Sequence, residues 1–421
     1  MTSPSIRLLT RREFIRTSVG LVAVTATIPT FLNRTAWALA EPAGATQGHT
    51  CRDGRILVVI QLAGGNDGLN TVIPFDQDAY YRLRPTLGIA KEKIARLTDA
   101  IGLHPNMTPL KGLYDSGKLA VVQGVGYPNP DRSHFRSMEI WQSAAPETFE
   151  TTGWIGRMFD HTCANKHLKE RCSPTLAVNI GETLDPTLRG NEGVGVALRD
   201  PEQFYRMTKL YSKAEAPHGK QAADGGAITS LDFLRRTAMN AELSADTIRQ
   251  SVRKVQSRTE YPREPFAQGL KLIAAMIAGG MDTRVYYTSL TGFDTHASQQ
   301  GPHDRLLKTL ADGIAAFQKD LESLGQAERV IGFTFSEFGR RVAENGSRGT
   351  DHGQAAPMFV FGQRVKAGIV SAHPSLEKLN QGDLMFHTDF RQVYATMLEQ
   401  WMSVDSAPVL GQKFTTLPVI V

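Results

Sequence analysis

Residues 56–70 of the chain are Ile56-Leu-Val-Val-Ile-Gln-Leu-Ala-Gly-Gly-Asn-Asp-Gly-Leu-Asn70, an apolar run that ends in a glycine-rich loop. The run from Ile56 to Leu62 is rich in β-branched residues, which is typical of a strand buried on both faces of a parallel sheet. The glycines after it allow a sharp turn. Asp67 is therefore predicted just beyond the carboxyl end of a strand, where open α/β sheets bind ligands. A carboxylate that satisfies only its own loop would also fit this position.

Apolar runs of the same kind recur along the chain, and most of them are separated by helical patterns. The further strands that we predict are Leu119–Val125, Thr175–Gly181, Val285–Leu290, Val330–Phe335 and Met358–Phe361. This order predicts an α/β fold with a mostly parallel central sheet and helices on both faces. Residues 181–265 depart from the pattern. We interpret them as a cap or insertion within a single domain that covers residues 41–421.

The first forty residues are predicted to be an export signal. Thr10-Arg-Arg-Glu-Phe-Ile-Arg16 resembles the twin-arginine motif, and a moderately apolar segment and Ala38-Leu-Ala40 follow it. We therefore expect the twin-arginine translocase to be a partner during export and cleavage to occur after Ala40. The mature chain would then be periplasmic or secreted, with no stable membrane span. A retained anchor is the alternative, although the apolar segment is short for a spanning helix.

Removal of this signal would remove most of the positive charge. Residues 1–40 contain five arginines and one glutamate, a net charge of +4 out of the +5 of the whole chain. The mature chain is therefore close to neutral, so a nucleic-acid partner has no electrostatic support.

The cysteine pattern argues against thiolate metal sites. The chain has Cys51, Cys163 and Cys172, and it contains no Cys-x-x-Cys motif. After export the chain would meet an oxidising compartment, in which Cys163 and Cys172 are close enough in sequence to form a bridge. Three unpaired thiols are the alternative.

A serine follows the second predicted strand, at the start of a helix. Pro128 and Pro130 prevent regular structure before it, and Ser133 is placed as the helix N-cap. The positive field of a helix N-terminus favours an alkoxide or a bound anion. Ser133 is therefore either a cap alone or also a nucleophile. Arg132, His134 and Arg136 surround it in the sequence.

Acidic residues and histidines follow several of the predicted strands. The six candidates are Asp67, Asp294, His296, Glu337, Asp351 and His352. Because the carboxyl ends of parallel strands meet at one edge of a sheet, we expect these side chains to lie close together. Carboxylate and imidazole groups are ligands of catalytic divalent ions such as zinc or manganese. A pair of such ions would bind a phosphoryl or sulfuryl oxygen and polarise a nucleophile such as Ser133.

Five motifs together carry a resemblance to a known family. They are Gly-Gly-Asn-Asp-Gly-Leu-Asn (64–70), Tyr-Pro-Asn-Pro-Asp-Arg-Ser-His-Phe (127–135), Phe-Asp-Thr-His (293–296), Phe-Ser-Glu-Phe-Gly-Arg (335–340) and Gly-Thr-Asp-His-Gly (349–353). On these motifs the chain resembles the twin-arginine-exported bacterial family called domain of unknown function fifteen-oh-one. That family is grouped with the alkaline phosphatase and sulfatase superfamily, which implies its α/β fold and a two-metal hydrolytic site.

The resemblance implies roles for some of these residues. Asp67 resembles the first metal aspartate of the superfamily, and Ser133 falls in the place of its nucleophile. Asp294 would pair with His296 or His303. Ser336-Glu337 stands where an adjacent Asp-His pair is expected. Alternatively Asp351-His352 is that pair and Glu337 lies behind the ligands. The sulfatase formylglycine motif is not present at its expected place.

Two functional hypotheses follow. The first is an exported metal-dependent hydrolase of small-molecule or polymer phosphate or sulfate esters, with one or two divalent ions (zinc, manganese or calcium). Ser133 would be its nucleophile, and Arg132, His134 or Arg136 would neutralise the oxyanion. The second is a catalytically degenerate binding or assembly protein of the periplasm. A redox protein has no support, because the chain lacks nucleotide and haem fingerprints.

Overall fold

A computed structural model describes residues 54–163, 172–191, 195–214 and 230–421 of the protein. The predicted export signal and Cys51 lie outside these residues. The strands are β1 (Ile56–Ala63), β2 (Val72–Ile73), β3 (Ala95–Arg96), β4 (Gly102–Leu103), β5 (Leu119–Gly126), β6 (Ala177–Ile180), β7 (Val196–Leu198), β8 (Val285–Thr291), β9 (Val330–Phe335), β10 (Ala356–Gly362), β11 (Gly368–Val370), β12 (Leu379–Asn380), β13 (Asp383–Leu384) and β14 (Thr388–Asp389).

Helices alternate with these strands along most of the chain. They are α1 (Gly68–Thr71), α2 (Asp78–Leu83), α3 (Thr108–Asp115), α4 (His134–Ser143), α5 (Trp154–Cys163), α6 (Pro201–Ala214), α7 (Ser230–Arg253), α8 (Pro265–Ala278), α9 (Gln300–Ser323), α10 (Phe390–Thr396) and α11 (Ala407–Leu410). A π-helical turn, Met397–Trp401, continues α10. In the part of the chain that is described, no helix combines the length and the apolar character needed to cross a membrane.

The main sheet is mostly parallel, as the sequence predicts. Its strand order is β11-β5-β10-β9-β1-β8-β6-β7, and β14 lies beside β5. The pairings of β10 with β5 and β9 are antiparallel, and the others are parallel. The first predicted strand lies near the centre, because β1 pairs with β8 on one side and with β9 on the other. β5 runs parallel to β1, but β10 and β9 separate the two strands.

Helices cover both faces of the sheet, which confirms the prediction of an α/β fold. Alternate side chains of β1 point to opposite faces, so Leu57 and Val59 join one apolar core and Val58 and Ile60 join the other. The first core includes residues of α4, α5 and α10, and the second includes residues of α3, α7, α8 and α9. A smaller third cluster packs around Tyr80 of α2.

The segment 181–265 is joined to the edge of this sheet. β7 pairs with β6 in parallel register. Phe204 of α6 and Ile248 of α7 are buried in the core that covers the second face. The structure thus places part of the segment within the main core, and a role as a cap stays a prediction.

The structure pairs two of the three cysteines. Cys163, the last residue of α5, forms a disulfide with Cys172, nine residues further along the chain. Of the two alternatives that the sequence left open, the structure therefore contains the bridge.

The turn after β1 brings three segments together. Gly64 and Gly65 have φ angles of +122° and +81°, which favour glycine. A Cβ atom at Gly64 would lie 2.4 Å from the backbone nitrogen of Asp294, and one at Gly65 would lie 2.3 Å from the Phe338 ring. The loops after β1, β8 and β9 are therefore in direct contact, and they can be so close only because glycines occupy the turn.

We predict that Gly64→Ala lowers the free energy of unfolding by about 1–3 kcal/mol more than Gly117→Ala does, the usual cost of overpacking. Gly117 is a matched control, because its φ is also positive, at +82°, but no atom lies within 4 Å of a Cβ there. Urea unfolding of both variants measures the difference. Equal losses of stability would mean that the contact with Asp294 relaxes without cost.

Candidate metal centre

Side chains from two loops and one helix terminus meet at the carboxyl edge of the sheet. Asp294 follows β8, His352 precedes β10, and His134 is the first residue of α4. These three residues each offer one ligand atom, and the three atoms lie within 4.8 Å of one another. The cluster is open to solvent, since the Asp294 side chain is 48% exposed and that of His134 is 35% exposed.

A third imidazole joins this cluster. The Nε2 atom of His296 is 3.1 Å from Oδ1 of Asp294 and 2.8 Å from Nε2 of His352. The Asp294 carboxylate also lies 3.3 Å from Nε2 of His352 and 3.4 Å from Nε2 of His134. Three imidazole Nε2 atoms thus surround one carboxylate.

The opposite ring nitrogens of two of these histidines face carboxylates. Nδ1 of His134 lies 3.0 Å from Oε1 of Glu337, and Nδ1 of His296 lies 3.2 Å from Oδ1 of Asp351. An ionised carboxylate can only accept a hydrogen bond, so each Nδ1 carries the proton. Glu337 and Asp351, both predicted from sequence to be metal ligands, are therefore placed behind the imidazoles.

The Nδ1 atom of His352 faces a backbone carbonyl, the oxygen of Arg132, at 2.8 Å. Because a carbonyl oxygen is only an acceptor, this Nδ1 is protonated too, and Nε2 of the neutral ring carries a lone pair. Burial, opposed by hydrogen bonds to Arg132 and Asp294, lowers the pKa of His352 and favours the neutral ring.

This arrangement fits a divalent cation. The Nε2 atoms of His296 and His352 face each other at 2.8 Å beside the Asp294 carboxylate, and a proton or a cation between the two nitrogens would satisfy this contact. Metal-bound histidines usually donate their other ring N–H to a carboxylate or a carbonyl, as all three do here. Three imidazoles and one carboxylate are also a tetrahedral zinc donor set.

Arg340 holds the loops of the cluster together. Its side chain is fully buried and donates to the carbonyls of Gly65 at 2.6 Å, Thr350 at 2.8 Å and Phe293 at 3.1 Å, and also to that of Gly64. Its Nη2 atom lies 2.8 Å from Oδ1 of Asp294. Burial alone would raise the pKa of Asp294, but hydrogen bonds from Arg340 and His352 and the Arg340 charge lower it to about 2.

Sequence reasoning did not assign a role to Arg340. The residue ends the Phe-Ser-Glu-Phe-Gly-Arg motif (335–340), in which only Ser336 and Glu337 were considered for the site. A signal was present in the motif, because an arginine that closes a polar run after a buried strand has several carbonyl ends within reach.

Asp67 lies apart from the metal cluster. It is fully buried, and its Oδ2 accepts hydrogen bonds from Arg84 at 2.6 Å and from Gln299 at 2.5 Å. Its Oδ1 accepts from the backbone N–H of Leu69 at 3.2 Å, which caps α1. Burial raises the pKa of Asp67, but Arg84 reverses this effect and the net pKa is lowered.

His303, the alternative partner of Asp294, is also elsewhere. It is buried within α9, and its Nε2 lies 3.0 Å from Oδ1 of Asn66. Burial lowers its pKa to about 4, so the ring is neutral. Of the two histidines that the sequence offered, the structure thus brings His296 to Asp294.

Ser133 precedes His134 and occupies the N-cap position of α4, as predicted, but its hydroxyl makes no capping hydrogen bond. The residue is exposed, and its backbone N–H donates to Oδ1 of Asp131 at 2.7 Å. Ser133 is therefore an exposed residue that directly precedes a member of the cluster in the chain.

The two arginines near Ser133 differ in position. The Arg132 side chain donates to Asp383. The Arg136 side chain pairs with Glu139 at 3.0 Å, donates to the carbonyls of Pro146 and Thr148, and lies 4.0 Å from the Phe149 ring centre. Arg136 therefore serves the loop after α4 and not the cluster.

A family model described as "Protein of unknown function (DUF1501)" matches residues 55–411. The chain belongs to this family. The match spans the described cluster, including the loops that carry His134, Asp294 and His352. No curated protein sequence matches the chain.

Several solved structures match this DUF1501 protein at low identity. A protein in the alkaline phosphatase superfamily from Vibrio parahaemolyticus is 11% identical, with 90% of this chain and 76% of that chain covered and a TM-score of 0.35. PsFucS1 sulfatase from Pseudoalteromonas sp. is 11% identical, with coverages of 90% and 72% and a TM-score of 0.36. The lipoteichoic acid synthase LtaP from Listeria monocytogenes is 8% identical, with coverages of 80% and 73% and a TM-score of 0.33. At these scores we argue function only from the residues of this chain.

We predict that Asp67→Asn lowers the free energy of unfolding by about 3–5 kcal/mol, because Arg84 is left as a buried charge without its partner. The metal content of the folded variant should match that of the wild type. The matched control is Asp115→Asn, which breaks the exposed pair with Lys111 and should cost at most about 1 kcal/mol.

The dependence of folding stability on acidic pH gives a second measurement. Since folding lowers the pKa of Asp67 below its usual 3.8, this carboxylate stabilises the fold above that pH, and the stabilisation is lost as pH falls through the folded pKa. Acid titration followed by circular dichroism should show that Asp67→Asn loses less stability than the wild type as the pH falls. Identical losses in the two proteins would contradict this account of the buried pair.

Proposed function

We propose that this DUF1501 protein is an exported, metal-dependent hydrolase of phosphate or sulfate esters. The observation that carries the proposal is the convergence of Nε2 of His134, His296 and His352 on Asp294, with every Nδ1 held by an acceptor. Such a set of lone pairs would be preorganised for a cation, and it lies at the carboxyl edge of the sheet, where ligands bind.

The donor set favours zinc or manganese over calcium, which prefers six to eight oxygen ligands. His134, His296, His352 and Asp294 would hold the ion. When bound, it would supply Lewis acidity toward an ester oxygen. Glu337 would keep His134 in the required tautomer, because its Oε1 accepts from both His134 and the backbone N–H of Gly64, the latter at 2.7 Å.

Ser133 is the proposed nucleophile. Its hydroxyl is exposed at the first turn of the ten-residue helix α4, directly before His134, and takes no part in capping. The positive field of the helix N-terminus would stabilise the Ser133 alkoxide, which would attack the phosphorus or sulfur atom while the bond from that atom to the leaving alcohol oxygen breaks. The nucleophile and an ion held by His134 would thus be neighbours in the chain.

The proposed export rests on the twin-arginine motif at residues 10–16 and on the small-residue cleavage site that ends at Ala40. The Cys163–Cys172 disulfide supports it, because disulfides persist in oxidising compartments. In this proposal the translocase is a partner during export, and the mature protein is periplasmic or secreted.

A binding or assembly protein without catalysis is the second candidate. One observation favours it: among the described residues a single group of potential metal ligands is found, whereas the superfamily resemblance implies two ions. This candidate predicts that the metal binds but that aryl phosphates, phosphodiesters and aryl sulfates are not hydrolysed.

We expect one tightly held divalent ion per chain in mature protein purified from the exported fraction, measured by elemental analysis. His352→Ala should lose the ion, because the variant lacks one of the four proposed donor side chains. His161→Ala is the matched control, since His161 is exposed on α5 and outside the cluster. Wild-type protein that takes up neither zinc nor manganese would contradict the metal site.

We expect Ser133→Ala to retain the metal and to lose at least about a thousandfold in kcat on a substrate that the wild type hydrolyses, as removal of a serine nucleophile does elsewhere. Steady-state assays and elemental analysis on the same preparation measure both properties. Unchanged turnover in this variant would mean that water or another group attacks.

A further inference from the structure

A buried carboxylate lies next to the candidate metal centre and is not used by it. Asp383 of β13 is fully buried, and it is the ion-pair partner of both Arg132 and Arg341. Its Oδ1 atom has no hydrogen-bond partner. An isolated buried carboxylate is costly, and burial raises the pKa of Asp383, an effect that the charges of Arg132 and Arg341 oppose.

The two arginines are attached to the metal cluster through their backbones. The carbonyl of Arg132 accepts from Nδ1 of His352 at 2.8 Å. The backbone N–H of Arg341 donates to the carbonyl of Asp351 at 2.9 Å, next to His352 in the chain. Arg132 also directly precedes Ser133. Arg132 is therefore next to the proposed nucleophile in the chain, and the backbone of Arg341 is hydrogen-bonded to the residue that precedes the proposed ligand His352.

Both arginine side chains are partly open to solvent. The side chains of Arg132 and Arg341 are 34% and 38% exposed, whereas that of Asp383 is fully buried. At 3.7 Å, the Arg341–Asp383 contact is an ion pair beyond hydrogen-bond length. A guanidinium has five N–H donors. Each arginine can therefore bind a further anion while it remains paired with Asp383.

We propose that Arg132 and Arg341 form an anion subsite for the terminal oxyanion of a monoester, and that Asp383 is the positioning residue that orients them. The inference rests on the proposed hydrolase function and deepens it. A pair of planar donor groups matches the several non-bridging oxygens of a terminal phosphate or sulfate. A diester offers fewer such oxygens, so monoesters are the preferred class.

Two variants test this role by isothermal titration of inorganic phosphate and, separately, of inorganic sulfate. The protein is used as purified and after zinc loading, at fixed ionic strength because salt screens such contacts. Arg341→Gln should weaken binding of the preferred anion about tenfold, the loss of a charge-assisted hydrogen bond. The matched control is Arg136→Gln, whose side chain faces the loop after α4, and it should change affinity less than about twofold.

Asp383→Asn distinguishes two effects of Asp383 on anion binding, the orientation of the arginines and the repulsion of the anion by its negative charge. Removing a negative charge near an anion site should tighten binding if charge alone matters. If Asp383 orients the arginines, the variant should instead weaken phosphate or sulfate binding about three- to tenfold, with metal content unchanged. Tighter or unchanged binding in folded Asp383→Asn would overturn the positioning role, and unchanged binding in Arg341→Gln would overturn the subsite. If Asp383→Asn does not fold, Arg341→Gln decides.

Failure of the hydrolase proposal has a different signature. Anion binding that follows these expectations without turnover of any ester would leave the subsite in place and remove the catalytic function. Wild-type protein that binds neither phosphate nor sulfate would overturn the subsite, whatever its metal content. The sulfate and phosphate arms show which of the two oxyanions the subsite prefers.

Discussion

The buried guanidinium of Arg340 is the interaction on which the cluster depends. It joins the carbonyls of the turn after β1, the loop after β8 and the loop before β10, and it pairs with Asp294. Each of these loops leaves a different strand. Backbone hydrogen bonds, such as that from Thr350 N–H to the Thr295 carbonyl at 3.2 Å, join some of them in pairs, and Arg340 contacts all three. One planar donor group with five N–H bonds can satisfy carbonyls in several directions, which a lysine could not do. Together with the hydrogen bond from His352, the Arg340 contact lowers the pKa of Asp294 to about 2 and keeps the carboxylate ionised.

The sequence predicts the central sheet well, because a strand that is buried on both faces is a continuous run of apolar residues. The run Ile56–Leu62 gave the central strand, and the helical patterns between strands gave the mostly parallel sheet. Parallel strands then bring their carboxyl ends to one edge, so Asp294, His296 and His352 could be placed together. The antiparallel direction of β10 could not be predicted in this way, because its apolar run resembles that of its parallel neighbours.

Residue order could not predict which acidic residues face the centre of the cluster and which contact the outer nitrogens of its histidines. Glu337 and Asp351 have the chemistry of ligands, yet the structure turns them to Nδ1 of His134 and His296. Which atom faces inward depends on side-chain direction at the end of each strand, and one rotamer separates a ligand from the residue behind it. For Asp67 the decisive partner was Arg84 of the following segment, which sequence reasoning had no reason to place in the core.

Two buried carboxylates near the site, Asp67 and Asp383, pair with arginines, and the exposure of those arginines separates their roles. Asp67 and Arg84 are both inaccessible, and Arg84 also donates to the carbonyls of Arg341 and Val342, so this pair fixes backbone. Asp383 is equally buried, but its arginines reach solvent. A pair that serves only the fold gains nothing from exposed guanidinium groups, because solvent weakens the attraction. The exposure of Arg132 and Arg341 is thus the physical reason to assign them a ligand, whereas Arg84 needs none.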